Sequence, residues 1–207
     1  MRLYYAETLA PRKACAVARY LNAEVQFVFV DLARGEHRSS DFTRLNPNNK
    51  VPVLVEGDRC LWEANAIMCH LAQSVRSPLW PSGHEQSEVI RWLSWDAAQL
   101  SRFGGELYFQ YLIKPHLGLG PADAVVVSEA QQDFRRSAAV LDTILADRQW
   151  VVGDQLTIAD FALSSTLPYA LEAKIPFSEF SHVNRWHSQL CGLEGWRNPF
   201  PFRPPNG

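Results

Sequence analysis

Apolar residues follow two rhythms in this chain, and the change of rhythm near residue 75 divides it. Before that point short strand-like runs alternate with helical stripes. Leu3-Tyr4-Tyr5 reads as a first strand. Ala14, Val17, Ala18 and Leu21 then recur at helical spacing, in a helix that Pro11 opens at the first helical position. Val25 to Val30 is a nearly continuous apolar run, as expected of a strand covered on both faces. Strand, helix and strand in that order predict a parallel pair with a right-handed crossover. A short helix is expected over Phe42 to Leu45. Val53 to Val55 and Arg59 to Trp62 flank the turn Glu56-Gly57-Asp58 as a hairpin, and Glu63 to Gln73 reads as a third helix. The predicted order is β-α-β-α-β-β-α around a four-stranded mixed sheet.

Arg76 to Gly83 contains two prolines and a glycine and breaks any helix. It predicts a first domain over residues 1–75, a linker over 76–84 and a second domain over 85–207. Strand signals nearly vanish there. Val89, Trp92, Leu93, Ala97 and Leu100 mark a long helix from Glu85 to about Ile113, which Gly104-Gly105 is expected to bend. Pro115 to Pro121 is a loop, and Ala124 to Asp147 is a second long helix with Phe134, Ala138, Leu141 and Leu145 on one face. Both suit an antiparallel helical bundle. Thr157 followed by Asp160 predicts a capping box, with Leu156 stapled against Phe161 and a buried helix over Ile158 to Leu163. A Pro-rich tail runs from Asn198 to Gly207.

Composition adds mostly exclusions. The chain has 207 residues, 47% hydrophobic and 20% charged, with a formal net charge of −2, which is enough to bury a core without staples. No basic run points to nucleic acid or an anionic membrane, so small molecules or proteins are the expected partners. Cys15, Cys60, Cys69 and Cys191 form no Cys-x-x-Cys pair and no zinc-ligand spacing, so no metal is expected. The scattered thiols, the absence of a leader-like start and the lack of a long apolar run predict a cytoplasmic protein.

The richest stretch is Asn46 to Met68. Val51-Pro52 stands just before a strand, and Glu63 and Ala64 open a helix whose first N–H groups favour an anion. Asn46 to Leu54 resembles the pattern Asn-Pro-x-Gly-x-Val-Pro-x-Leu of the glutathione transferases, and Glu63 to Ile67 resembles their Glu-Ser-x-Ala-Ile. The segment from Gly153 to Ala162 is similar to the capping-box motif of their helical domain. With it the resemblance spans roughly Arg2 to Leu190. It implies an α/β thioredoxin-like N-terminal domain followed by an all-α C-terminal bundle. It also implies a cis Val51–Pro52 bond, with the Val51 backbone pairing to the cysteinyl segment of glutathione as an added strand. The Ala64 N–H would take the γ-glutamyl carboxylate and Glu63 the α-amino group. There are two departures. Asn49 replaces Gly, and Asn tolerates a left-handed backbone. Ala64 replaces Ser, which removes a donor worth on the order of 1–3 kcal/mol, and Asn65 is the candidate to compensate.

In that family the donor that stabilises the glutathione thiolate sits in the loop after the first strand. Here the loop is Ala6 to Pro11, and Thr8 is its only hydroxyl. Thr8 resembles the Thr of the bacterial Nu-class enzymes, whose Asn two residues later is Ala10 here; the Ser position of the theta-like pattern falls on Leu9. With Pro11 as first helical residue, Ala10 would be the N-cap and the N–H groups of Arg12 and Lys13 would stay open. Tyr5 reads as a buried aromatic and Cys15 as a core thiol. Lys13, His37 and Lys50 are the cations for the glycyl carboxylate. A small apolar electrophile would lie between the domains, against the fourth helix, where Leu9, Arg102, Phe103, Tyr108 and Tyr111 are the candidate lining. Trp92 and Trp95 are expected in the bundle or at a homodimer interface.

Two readings follow. One is a glutathione-dependent transferase, conjugating the thiol to an electrophile, with disulfide or peroxide reduction as further reactions. The other is a non-catalytic binding or interaction protein on the same fold, which the missing loop Ser or Cys and the missing Ser after Glu63 would suit.

Overall fold

Alternation along the first strand, β1 (Arg2–Tyr5), buries Leu3 and Tyr5 and leaves Arg2 outside. In the computed structural model, which describes residues 1–201, β1 pairs in parallel with β2 (Gln26–Phe29) and antiparallel with β3 (Val53–Glu56). A hairpin joins β3 to β4 (Arg59–Trp62), giving the sheet order β2-β1-β3-β4. The remainder of the Pro-rich tail, from residue 202, lies outside the described residues. The run at Val25 to Val30 does not form a strand covered on both faces. As β2 it is an edge strand, one residue exposed and three half-buried, and it is β3 that is buried through three successive residues.

Three helices cover this sheet. The first, α1 (Leu9–Tyr20), packs against the third, α3 (Ala64–Ser74), and the two also meet β1 and β3. Phe42 of α2 (Ser40–Leu45) joins Val30, Val53 and Val55 in a separate cluster that Tyr4, Leu45 and Val51 extend.

The chain divides into two compact units, one formed by Met1–Trp80 with the segment from Gly192 onward, the other by Pro81–Cys191. The pattern along the sequence places all of residues 85–207 in the second domain. Close backbone packing accounts for the difference. At Gly195, in the short α10 (Glu194–Arg197), a Cβ would stand 2.8 Å from the Tyr20 backbone nitrogen, so this turn lies directly on α1. Arg12 adds a hydrogen bond from Nη2 to the Trp196 carbonyl at 2.8 Å, and Phe200 stacks on Tyr5 at 5.7 Å between ring centroids.

In the helical unit the long segment starting near Glu85 is broken, but not at the glycines. One helix, α4 (His84–Ala98), stops at Gln99, whose φ of −122° and ψ of −89° are non-helical, and α5 (Leu100–Tyr108) begins at once. Gly104 serves packing instead: a Cβ there would come 2.7 Å from Thr166 Oγ1. A π-helical turn, Phe109–Ile113, leads into the short α6 (Lys114–His116). Gln110 in that turn is buried, donates to Glu106 and accepts from Lys114 and the Asp123 N–H.

The long α7 (Ala124–Leu145) buries Phe134, Ala138, Leu141 and Leu145, as its stripe predicts, and its N-cap Asp123 accepts from Val125 and Val126 N–H. The capping box forms at α8 (Ile158–Leu163), and all six of that helix's residues are buried. Its Asp160 does more than cap. The carboxylate accepts from the N–H groups of Thr157 at 2.8 Å and Val151 at 3.0 Å, from Thr157 Oγ1 at 3.1 Å and from Trp186 Nε1 at 2.9 Å. Trp186 belongs to α9 (Ser181–Cys191), so one side chain ties together a loop, a helix start and a second helix.

Candidate active site

Strand register gathers most of the candidate residues of the first unit at one end of the sheet. Tyr4 on β1 faces Val53 on β3, which faces Trp62 on β4, while Tyr5 runs beside Phe29 of β2. The chain therefore leaves β1 toward Thr8, leaves β2 toward His37, enters β3 from Val51-Pro52 and leaves β4 toward Glu63, all at the same end of the sheet. Nothing in the linear order of these residues reveals that; the parallel and antiparallel pairings do.

The start of α1 differs from the expectation by two residues. Thr8, not Ala10, is the N-cap, with φ −131° and ψ 173°, and its hydroxyl makes no capping hydrogen bond. The Arg12 N–H already donates to the Thr8 carbonyl at 3.0 Å, so Arg12 and Lys13 are not the open donors. That role falls to the N–H groups of Leu9 and Ala10, because Pro11 has none. A Thr three residues ahead of a Pro was the available signal: it is an N-cap type, and Pro is accepted anywhere in the first helical turn. Thr8 and Leu9 are half-buried, while Tyr5 is 1% exposed, set edge-on to Phe27 and Phe29. Cys15 is fully buried, and burial pushes its thiol far up.

Around β3 the backbone is unusual in two places. Val51–Pro52 is cis. Asn49 has φ 54°, the left-handed conformation that a Gly would otherwise supply, and its Oδ1 accepts from the Thr43 hydroxyl at 2.7 Å. The Asn46 amide donates to the Lys50 carbonyl at 2.7 Å, bracing the turn. Within the described residues no protein hydrogen bond uses the Val51 N–H or C=O.

Glu63 is the N-cap of α3 at φ 71°, with its exposed carboxylate making no capping bond. The first helical bond runs from the Ile67 N–H to the Glu63 carbonyl at 3.0 Å, which leaves the N–H groups of Ala64, Asn65 and Ala66 without helical acceptors. Ala64 is buried, and Asn65 Oδ1 is buried without a hydrogen-bond partner among the described residues. His37 lies in a 3₁₀ turn, Glu36–Arg38, where its Nδ1 is likewise buried and unpaired. Lys13 is half-buried on α1, and Lys50 is exposed beside Val51.

The remaining candidates belong to the helical unit. Arg102 is exposed on α5, with its guanidinium 5.6 Å from the Phe103 ring centroid. Tyr108 is buried edge-on against Tyr169 at 5.0 Å, and burial pushes its hydroxyl up to about 12. Tyr111 lies in the π-helical turn under the Lys174 ammonium, 4.5 Å from the ring centre. Trp92 is buried in α4 with Trp95 edge-on to it. No periodic signal marked the π-helical turn, because one inserted residue shifts a helical stripe without breaking it. Among the described residues no three His, Cys, Asp or Glu side chains are grouped to hold a metal ion, and no helix is long and apolar enough to cross a membrane.

Comparison with known proteins gives the same picture at both ends of the chain. Residues 1–73 match the model of the glutathione S-transferase N-terminal domain, and residues 104–194 match that of the C-terminal domain. Glutathione S-transferase 3 of Zea mays is 30% identical, over 97% of this chain and 95% of its own. Among solved structures, glutathione S-transferase-I bound with lactoylglutathione superposes with a TM-score of 0.86 at 25% identity, covering 96% of this chain and 97% of that one. A possible glutathione S-transferase from Rhodopseudomonas palustris gives a TM-score of 0.84 at 28% identity, covering 94% and 95%.

Proposed function

The chain belongs to the glutathione S-transferase family, and on that premise we propose that it conjugates the thiol of glutathione to a small apolar electrophile. The observation that carries the reading is the set of backbone groups at one end of the sheet that have no partner among the described residues: the Val51 N–H and C=O, and the first N–H groups of α1 and α3. Backbone groups of this kind bind a peptide and its anions without side-chain help. Val51 would hold the cysteinyl segment, the Ala64 N–H the γ-glutamyl carboxylate, and Glu63 the α-amino group. The unpaired His37 Nδ1, with Lys13 and Lys50, suits the glycyl carboxylate.

A thiol near its ordinary pKa of about 8.5 is only a few per cent ionised at neutral pH. Thr8 is the donor we assign to the thiolate, aided by the Leu9 and Ala10 N–H groups, and it supports a place near the bacterial theta- and Nu-like members. Leu9, Arg102, Phe103, Tyr108 and Tyr111 remain the lining we assign to the electrophile site. The proposal includes a cytoplasmic homodimer and no metal. Disulfide or peroxide reduction would use the same thiolate.

One observation favours the second reading, a binding protein without catalysis: buried Ala64 offers no hydroxyl where the family pattern has Ser. Calorimetric titration with glutathione, and with its oxidised form, separates the two. Micromolar to submillimolar binding, about −8 to −5 kcal/mol, that collapses in Glu63→Ala supports the enzyme site. No binding of either form overturns it and puts the scaffold reading first.

A further inference from the structure

The four cysteines occupy very different surroundings. Cys15 is buried in α1, Cys60 and Cys69 are half-buried, and Cys191 is exposed at the end of α9. Burial pushes the Cys69 thiol up to about 11 and Cys15 higher still, so both are poor nucleophiles at neutral pH. Cys191 also has a side-chain partner that the others lack among the described residues. His187, one turn earlier on the same helix, sets Nε2 3.7 Å from Cys191 Sγ, and its ring is held edge-on against Phe177 at 5.7 Å. The imidazole is only 9% exposed, so its position over the sulfur is fixed by packing. A helix C-terminus by itself disfavours an anion. The imidazole beside it is a base within reach of the thiol proton.

We propose that Cys191 and His187 form a reactive thiol–imidazole pair on the helical unit that accepts a mixed disulfide from a small disulfide such as oxidised glutathione. His187 Nε2 takes the thiol proton. The Cys191 thiolate attacks one sulfur of the disulfide, a new S–S bond forms as the old one breaks, and the second half leaves as a thiolate that recovers the proton. No other oxidant is needed, since the incoming disulfide is reduced as Cys191 is oxidised. Nothing in this step uses the sheet-end site, so the proposal stands or falls separately from the transferase reading. Cys191 is also the last residue of the helical unit before the chain returns to the first.

The test is to incubate the purified full chain with oxidised glutathione at neutral pH, block the remaining thiols, digest, and locate the adduct by mass spectrometry. Cys191 should take it first, at least tenfold faster than the other three cysteines, and Cys191→Ser should remove it. His187→Gln should slow the reaction roughly tenfold while leaving glutathione binding at the other site unchanged. An adduct spread over several cysteines, or an unchanged rate in His187→Gln, overturns the pairing. If that variant does not fold, the pH profile of Cys191 alkylation in the parent chain decides. An inflection well below the ordinary thiol range supports the pair, and one at or above that range refutes it.

Discussion

Thr8 and Thr157 are both N-caps, with backbones that are nearly superimposable: φ −131° and ψ 173° at Thr8, φ −130° and ψ 171° at Thr157. Their side chains do opposite things. At Thr157 a capping box closes the helix start, and a buried Asp three residues on satisfies the N–H and the hydroxyl together. At Thr8 no acid stands three residues on, because that place is Pro11, and the hydroxyl is not drawn into a cap. The start of α3 resembles α1 in this respect, with Glu63 as an N-cap whose side chain bonds no N–H of its helix. Local backbone geometry therefore does not decide whether a helix start is closed for stability or left open for a ligand. Between these two threonine caps the difference lies at the third helical position, Asp160 in one and Pro11 in the other.

The largest effect should come from the closed start. Asp160 is fully buried; burial pushes its carboxyl up, and the hydrogen bonds from Val151, Thr157 and Trp186 pull it back. Asp160→Ala would strand the Val151 and Thr157 N–H groups and the Trp186 indole. Each buried donor left unpaired costs about 1–3 kcal/mol, so a loss of about 3–5 kcal/mol is expected. Urea denaturation reads it as a lowered midpoint. A shift of less than about 1 kcal/mol would mean that Asp160 caps only weakly and that the contrast between the two starts is superficial.

Next in size is the open start of α3. Removing a carboxylate that bonds an ammonium group costs about 1.5–3 kcal/mol of binding, so Glu63→Ala should weaken glutathione about 10- to 100-fold in calorimetry. Stability should change far less than in Asp160→Ala. The reverse pattern, unchanged affinity with a large drop in stability, would place Glu63 with the closed caps. Thr157→Ala is expected to cost about 1 kcal/mol, read in the same denaturation experiment, with glutathione affinity untouched. It removes the hydroxyl but leaves the Thr157 N–H bond to Asp160 in place, so it should fall well short of Asp160→Ala.

How much of this could be read from the sequence varies with the range of the interaction involved. The capping box at Thr157 and Asp160 is local, two side chains three residues apart, and periodicity plus residue type suffice to find it. The β-α-β-α-β-β-α order was legible for the same reason. The trio Val151, Asp160 and Trp186 was not, because Trp186 is 26 residues further along the chain. Nor was the return of Gly195 to α1, since a glycine chosen for close approach looks like any turn glycine. Pro11 misled in a different way. It is favoured at the first helical position but tolerated at the third, so the pattern leaves Thr8 in the loop, two places ahead of the expected cap Ala10, whereas Thr8 itself caps the helix. The grouping of Thr8, His37, Val51 and Glu63 came from the family pattern rather than from spacing, and strand register is its physical cause.

Thr8→Ala should be the quietest variant in stability and the most informative about chemistry. Because the hydroxyl makes no capping bond, its loss should change stability by no more than about 0.5 kcal/mol, against about 1 kcal/mol at Thr157. If the same hydroxyl donates to a bound thiolate, it stabilises the charged form, and removing it must raise the thiol pKa. Ultraviolet titration of the thiolate in the glutathione complex should then show the inflection move upward by about one unit, equivalent to about 1.4 kcal/mol. The conjugation rate at neutral pH should fall with it, since less thiolate is present. Thr8→Ser keeps the hydroxyl and should keep both values. An unmoved inflection in Thr8→Ala would leave the Leu9 and Ala10 N–H groups as the thiolate's donors, and would make Thr8 an N-cap whose side chain serves neither stability nor chemistry.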